Sequence, residues 1–261
     1  MQTFLTQDQI AQKAPSVFTR GSYELTSDRY APISTFDVLK GLYDLGFGVT
    51  HAMESTTRKE NRVGYNKHLL RLRQNNQEMI NGLYPELVLI NAHDGSSSYQ
   101  LRAGIYRMVC SNGMVLGDEM LCQRVRHQGD VVSRVVEAGS DIIEVFPTAI
   151  EKAKEWSEIE LAPEQITAYA ESAKMLKWEK DGQIEVPNSS LLRRRRYEDQ
   201  KQDLWTTFNI LQENLIKGGV RTRNRETGQR NTTREVKSPH ENNRLNTALW
   251  TLTDHMASLA R

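Results

Sequence analysis

The chain has 261 residues, 38% hydrophobic and 26% charged, with a mean hydropathy of -0.61 and a formal net charge of +1. That length buries a core without metal or disulfide staples. No window approaches the ~18 apolar residues of a membrane span, and a pI near 7.8 argues against a protein that coats nucleic acid by net charge alone.

Residues 1–33 read as a polar arm that packs on the body. Their opening, MQTFLTQDQIAQKAPSVF, resembles neither a signal peptide nor a transit peptide, so a cytoplasmic location is expected. Ser34 and Thr35 then precede Phe36, Leu39, Leu42 and Leu45 at helical spacing, with Gly46 at the place of a C-terminal cap.

At Phe47 the apolar period changes to two, and a first strand runs through Val49, His51 and Met53. HLLRLRQ, ELVLIN, SYQLRAGIYRMVC and MLCQRVRH supply four more strands, separated by turn-rich segments. The fold class is therefore α+β, an antiparallel β meander of about five strands followed by a helical C-terminal half. Past Asp130 helices are expected through Ile142 and Phe146, with a kink or restart at Pro147, from Pro163 through Ala173, and from Leu204 to Leu215. Ser238, Pro239 and Glu241 cap a last helix that carries Leu245, Leu249, Leu252, Met256 and Leu259. Residues 34–130 form the helix and sheet core, and 131–261 a helical region packed on it as a single domain.

Charge is unevenly placed. Residues 58–73 hold six bases against Glu60, a net of +5, and 217–237 hold seven bases against Glu226 and Glu235, again +5. The second stretch has almost no apolar residues and is expected to be a mobile basic loop. Between Glu137 and Glu185 twelve acids face five lysines. Each basic stretch is equally well explained as a solvated or internally paired face.

Arg71, Arg73, Arg102, Arg107, Arg124 and Arg126 lie in strands and would make a basic platform if they share a face. Tyr99 or Tyr106 would then stack bases, although their spacing of seven puts them on opposite faces unless a bulge intervenes at Gly104. Arg193 to Arg196 would surround a helix and pack at least one stem. His93 and Asp94 offer an acid/base or metal pair, but Asp94-Gly95 is also the favoured hairpin dipeptide. Cys110 and Cys122 lack a CxxC pair, so a disulfide framework is excluded and buried thiols are expected in place of a metal site or reactive nucleophile. No phosphate loop, GxGxxG, HExxH or GxSxG occurs, and no catalytic residue, metal or cofactor is assigned.

STFDVLKGLYDLGFGVTHA, NAHDGSSSYQLRAGIYRMVCSNGMVLG and NNRLNTALWTLTDHMASLAR resemble, in that order, the phage and plasmid family known as domain of unknown function 932. The middle stretch is the most specific: an HDG-like turn leads to an R-x-V-C-x-N-like strand end, here Arg107 to Asn112. The resemblance implies a mobile-element origin in a bacterial or phage-infected cytoplasm, neighbours that act in recombination and anti-restriction, and no assigned reaction.

The expectation drawn from all this is a DNA-binding accessory protein of a phage, prophage or plasmid that binds or anneals single-stranded DNA in recombination. The strand arginines would hold phosphates, Tyr99 or Tyr106 would stack bases, and Arg221, Arg223, Arg225 and Arg230 would close over the strand. Homo-oligomeric rings or filaments would follow, by fold-level analogy with phage annealing recombinases. The alternative is an anti-defence protein that binds a host restriction or CRISPR component through its acidic segment, with no membrane involved in either case. A metal-dependent nuclease using His93 and Asp94 is a third reading.

Overall fold

Where the apolar period begins, a hydroxyl stands ready to cap it: Ser34 accepts from the Phe36 amide at 3.2 Å and starts α2 (Thr35–Asp44), after the short α1 (Gln7–Lys13). The computed structural model describes residues 4–21, 23–24, 26, 30, 34–75, 79, 82–107, 112–115, 122–127, 130–144, 146–178 and 183–260. The chain divides into two compact units, the first comprising Met1–Tyr106, Asp118–Pro147 and Lys237–His240, the second Arg107–Gly117, Thr148–Val236 and Glu241–Arg261.

The first unit carries the antiparallel sheet. Its strands are β1 (Phe47–Glu54), β2 (His68–Gln74), β3 (Leu83–Asn91) and β4 (Tyr99–Arg107), side by side in that order. β5 (Asn112–Val115) follows them in the sheet order, where a turn was expected, and β6 (Cys122–Val125) pairs with β4. The α+β class and the antiparallel order agree with the sequence pattern.

α2 and α3 (Val131–Glu144) pack on one face of this sheet. A Cβ at Gly139 would meet Leu42 at 3.1 Å, Leu87 at 3.6 Å and Leu101 at 3.7 Å, so the glycine lets α3 lie close without pressing on Leu42. Leu72 pairs with Leu87 and His68 with Asn91, which puts those four on the helix side. Strand alternation therefore turns Arg71, Arg73, Glu86 and Arg102 to the opposite face.

In the second unit α4 (Phe146–Glu158), α5 (Pro163–Trp178), α7 (Leu204–Lys217) and α8 (Pro239–Leu259) enclose an aromatic core of Trp156, Trp205, Phe208 and Trp250. α7 is buried on every side from Leu204 to Leu215, so its polar groups must find partners inside. Gln212 donates to Asn246 at 2.9 Å, and Asn214 to the Leu191 carbonyl of the short α6 (Asn188–Leu191) at 2.6 Å. The buried side of α8 uses Leu245, Asn246, Leu249, Trp250, Thr253 and Ala257, while Leu259 is exposed. The heptad-like leucine spacing thus picked a face that turns partly outward, because polar Asn246 and Thr253 replace apolar residues in the seam.

The basic stretch expected as a loop contains β8 (Arg221–Asn224) and β9 (Arg230–Thr232), which join β7 (Ile184–Glu185) in a second sheet ordered β7-β8-β9. Arg-Thr-Arg-Asn alternates at strand period, and its turn is built from side-chain chemistry. Asn224 Oδ1 accepts from the amides of Glu226 at 2.9 Å and Thr227 at 2.8 Å, and Gly228 takes φ 69°. Polar residues carry this hairpin because turn geometry and ladder bonds need no apolar side chains.

Candidate nucleic-acid interface

By register and alternation Arg71, Arg73, Arg102 and Arg124 share a face of the sheet and Arg107 does not, and the fold uses the inner ones as structure. Glu86 on β3 is fully buried and takes Arg71 Nη1 on Oε2 at 2.9 Å and Arg73 Nε on Oε1 at 2.7 Å. The Arg73 guanidinium also lies 3.7 Å from the Tyr106 ring centroid and 5.2 Å from that of Tyr84. Arg102 is buried on the same face, and burial lowers its pKa. Tyr99 is fully buried on the helix side, so it shares no face with Tyr106. Arg107 pairs with Asp199 at 2.7 Å inside the second unit. Of the six strand arginines only Arg124 and Arg126, on and beside the edge strand β6, are exposed.

The four consecutive arginines are also divided between tasks. Arg195 donates to Asn214 Oδ1 at 2.8 Å and to the Gly218 carbonyl, and Arg196 makes a bidentate pair with Glu213. Both brace α7. Burial would raise the Glu213 carboxyl, but bonds from Arg196 and Lys217 outweigh it and hold its pKa below the usual range.

The hairpin is different. Arg221 and Arg223 alternate with Thr222 and Asn224, and all four arginines from Arg221 to Arg230 are exposed. Arg223 pairs across the ladder with Arg230, and Arg221 with Thr232. On its other side Arg223 faces Glu185 of β7. Among the described residues none of Arg221, Arg223, Arg225 and Arg230 has a carboxylate within 4 Å in an ion pair, Glu185 and Glu226 included. This face presents three guanidinium groups from adjacent strands and one unattached carboxylate.

A polar network at the helix-side end of the first sheet was not foreseen as a unit. His68 starts β2, Asn91 ends β3, and His93 and His127 follow β3 and β6, so antiparallel order brings them to one edge. Thr35 Oγ1 lies 2.9 Å from His68 Nε2 and 3.2 Å from His93 Nε2, and accepts from Asn91 Nδ2 at 3.1 Å. His127 Nε2 is 2.9 Å from Asn91 Oδ1, and its ring lies between Tyr30 at 4.7 Å and Tyr99 at 4.6 Å.

His68 Nδ1 donates to the Asn66 carbonyl at 3.1 Å, so its Nε2 accepts from Thr35, and Thr35 in turn accepts from His93. Burial holds the pKa of His68 at about 4 and that of His93 at about 3. His68 and His93 are thus neutral members of a hydrogen-bonded, buried cluster. Asp94 accepts from the Ser96 amide at 3.0 Å and sits 3.6 Å from Arg62, in the turn at Gly95 with φ 76°.

Cys110 lies outside the described residues, and Cys122 is a half-buried thiol. Among the described residues no three His, Cys, Asp or Glu are placed to hold a metal ion, and no helix is long and apolar enough to cross a membrane.

Comparison with known proteins places this geometry in a wider setting. The family described as "Domain of unknown function (DUF932)" matches residues 22–250. The chain is similar to UPF0380 protein YafZ and to UPF0380 protein YfjQ, both of Escherichia coli K12. Each is 38% identical over 250 residues, a match that covers 96% of this chain and 90% of the relative. No solved structure matches.

Proposed function

The chain belongs to the DUF932 family, and from that premise we propose that it is a nucleic-acid-binding accessory protein that grips the phosphates of single-stranded DNA with the β8–β9 hairpin. One observation carries the reading. Arg223 and Arg230 face each other across the ladder with no ion-paired carboxylate among the described residues, an arrangement of like charges that an anion would bridge. Arg221 extends the row along β8, and Arg225 adds charge beyond it. A two-stranded ribbon of this kind suits a phosphate backbone, where each neutralised phosphate releases counterions.

The buried sheet arginines move the proposed contact away from the first sheet, with Arg124 and Arg126 as its exposed remainder. A role in recombination on a mobile element, with several copies aligned along one strand, is the setting the family resemblance implies. The test is retention of a labelled single strand by wild type and by R221E/R223E/R225E. The triple reversal abolishes retention if the hairpin is the contact. Unchanged retention would contradict it. Inhibition of a host restriction component by the triple variant, with no DNA retained by wild type, would favour a protein partner.

A further inference from the structure

The face of the second sheet turned away from the arginines forms a pocket of about 470 Å³, a size ordinary for small-ligand sites. Its walls are Lys177 and Trp178 at the end of α5, Ile184 of β7, Asn224 and Asn231 of the hairpin, and Arg234. All but Ile184 carry a group that suits a nucleotide. Trp178 is half-buried and stands apart from the aromatic core that holds Trp156, Trp205 and Trp250, so its ring is a plane without an aromatic partner among the described residues.

Asn224 has committed its carbonyl to two turn amides, leaving its NH2 group as the side chain's remaining hydrogen-bonding end. Asn231 makes no side-chain hydrogen bond among the described residues and offers both donor and acceptor. Lys177 donates to the Leu215 carbonyl and lies 5.2 Å from the Trp178 ring centroid, so its charge is fixed at the aromatic wall. Arg234 is exposed, and no carboxylate among the described residues lines the pocket.

We propose that this pocket takes one nucleobase with its phosphate, the base stacked on Trp178 and read by Asn224 and Asn231, the phosphate held by Lys177 and Arg234. β9 is the edge strand of its sheet, so a strand lying on the arginine face reaches the pocket by turning one nucleotide around that edge. This deepens the hairpin reading and, for binding to a strand, rests on it; binding of a free mononucleotide does not.

The experiment uses the full chain and three probes: deoxyadenosine monophosphate, an oligothymidylate, and an abasic deoxyribose-phosphate oligomer of equal length. The mononucleotide at millimolar concentration is expected to quench tryptophan fluorescence in wild type and not in W178A. Wild type should bind oligothymidylate more tightly than the abasic oligomer, and W178A should lose about tenfold on oligothymidylate with no change on the abasic probe. N231A, at an exposed strand position, should lose severalfold in the same selective way and guards against a folding defect in W178A. R223E should weaken both oligomers alike.

Equal binding of the two oligomers by wild type, without quenching by the mononucleotide, overturns the pocket. If R223E still weakens both, the hairpin reading survives that result. Quenching by the mononucleotide with no oligomer bound would leave the pocket standing and remove the hairpin reading.

Discussion

Arg223 on β8 stands directly across from Arg230 on β9, and among the described residues no carboxylate within 4 Å neutralises either one. Cross-strand like charges weaken a hairpin. Replacing Arg230 by Thr, a good strand former, should therefore raise the urea midpoint slightly while weakening single-strand binding severalfold. A variant that lost stability along with binding would show the pair to be structural.

The buried trio of Arg71, Arg73 and Glu86 behaves in the opposite way. Glu86 is a counter-ion shared by two guanidinium groups exposed by 10% or less, so E86Q removes the buried negative charge that pairs with both. The loss should be about 3–5 kcal/mol in equilibrium unfolding. A change within the error of an exposed substitution would contradict the structural role.

The histidine network makes the fold acid-sensitive. His68 and His93 titrate at about 4 and about 3 when folded, because burial opposes their charged forms, against 6.5 when unfolded. The unfolded chain therefore binds more protons between these values, and stability rises with pH there. The contribution is complete above about pH 6.5 and is lost as pH falls towards the folded values, at about 1.4 kcal/mol per pH unit for each histidine. Urea unfolding from pH 7.5 to 4.5 should show this slope, and H68N should flatten it.

Gly218 ends α7 at φ 69°, and a Cβ there would come within 2.5 Å of the Arg234 carbonyl carbon. Both the backbone conformation and the close approach of the hairpin's return strand demand glycine. G218A should destabilise the chain by more than about 1 kcal/mol and disturb the hairpin, detectable as faster amide exchange at Val220 and Thr233. Wild-type exchange rates in G218A would show that the hairpin root tolerates a side chain.

The strands of the first sheet other than β5 were legible because each carries its own period, and the caps at Ser34 and Gly46 because those residue types fit one place. The use of the arginines was not. Arg71 and Arg73 look like a solvated face until β3 brings Glu86 beside them, and that pairing depends on register, which a period alone does not fix. The histidine network had a readable trace: His68, His93 and His127 stand at strand ends that antiparallel order brings to one edge. The hairpin hid for another reason. Its residues are polar, and its stability comes from an asparagine turn and ladder bonds that a search for apolar patterns passes over.

The most direct test of the account is the salt dependence of single-strand binding, measured by fluorescence anisotropy for wild type and for R223Q/R230Q. Each phosphate contact contributes about 0.7 to the slope of log affinity against log salt for a single strand. Wild type should therefore show a steep negative slope that the double variant reduces in magnitude by about 1.4, two contacts' worth. Identical slopes in the two proteins, or no binding by wild type at low salt, would contradict the assignment of the hairpin as the phosphate-binding surface.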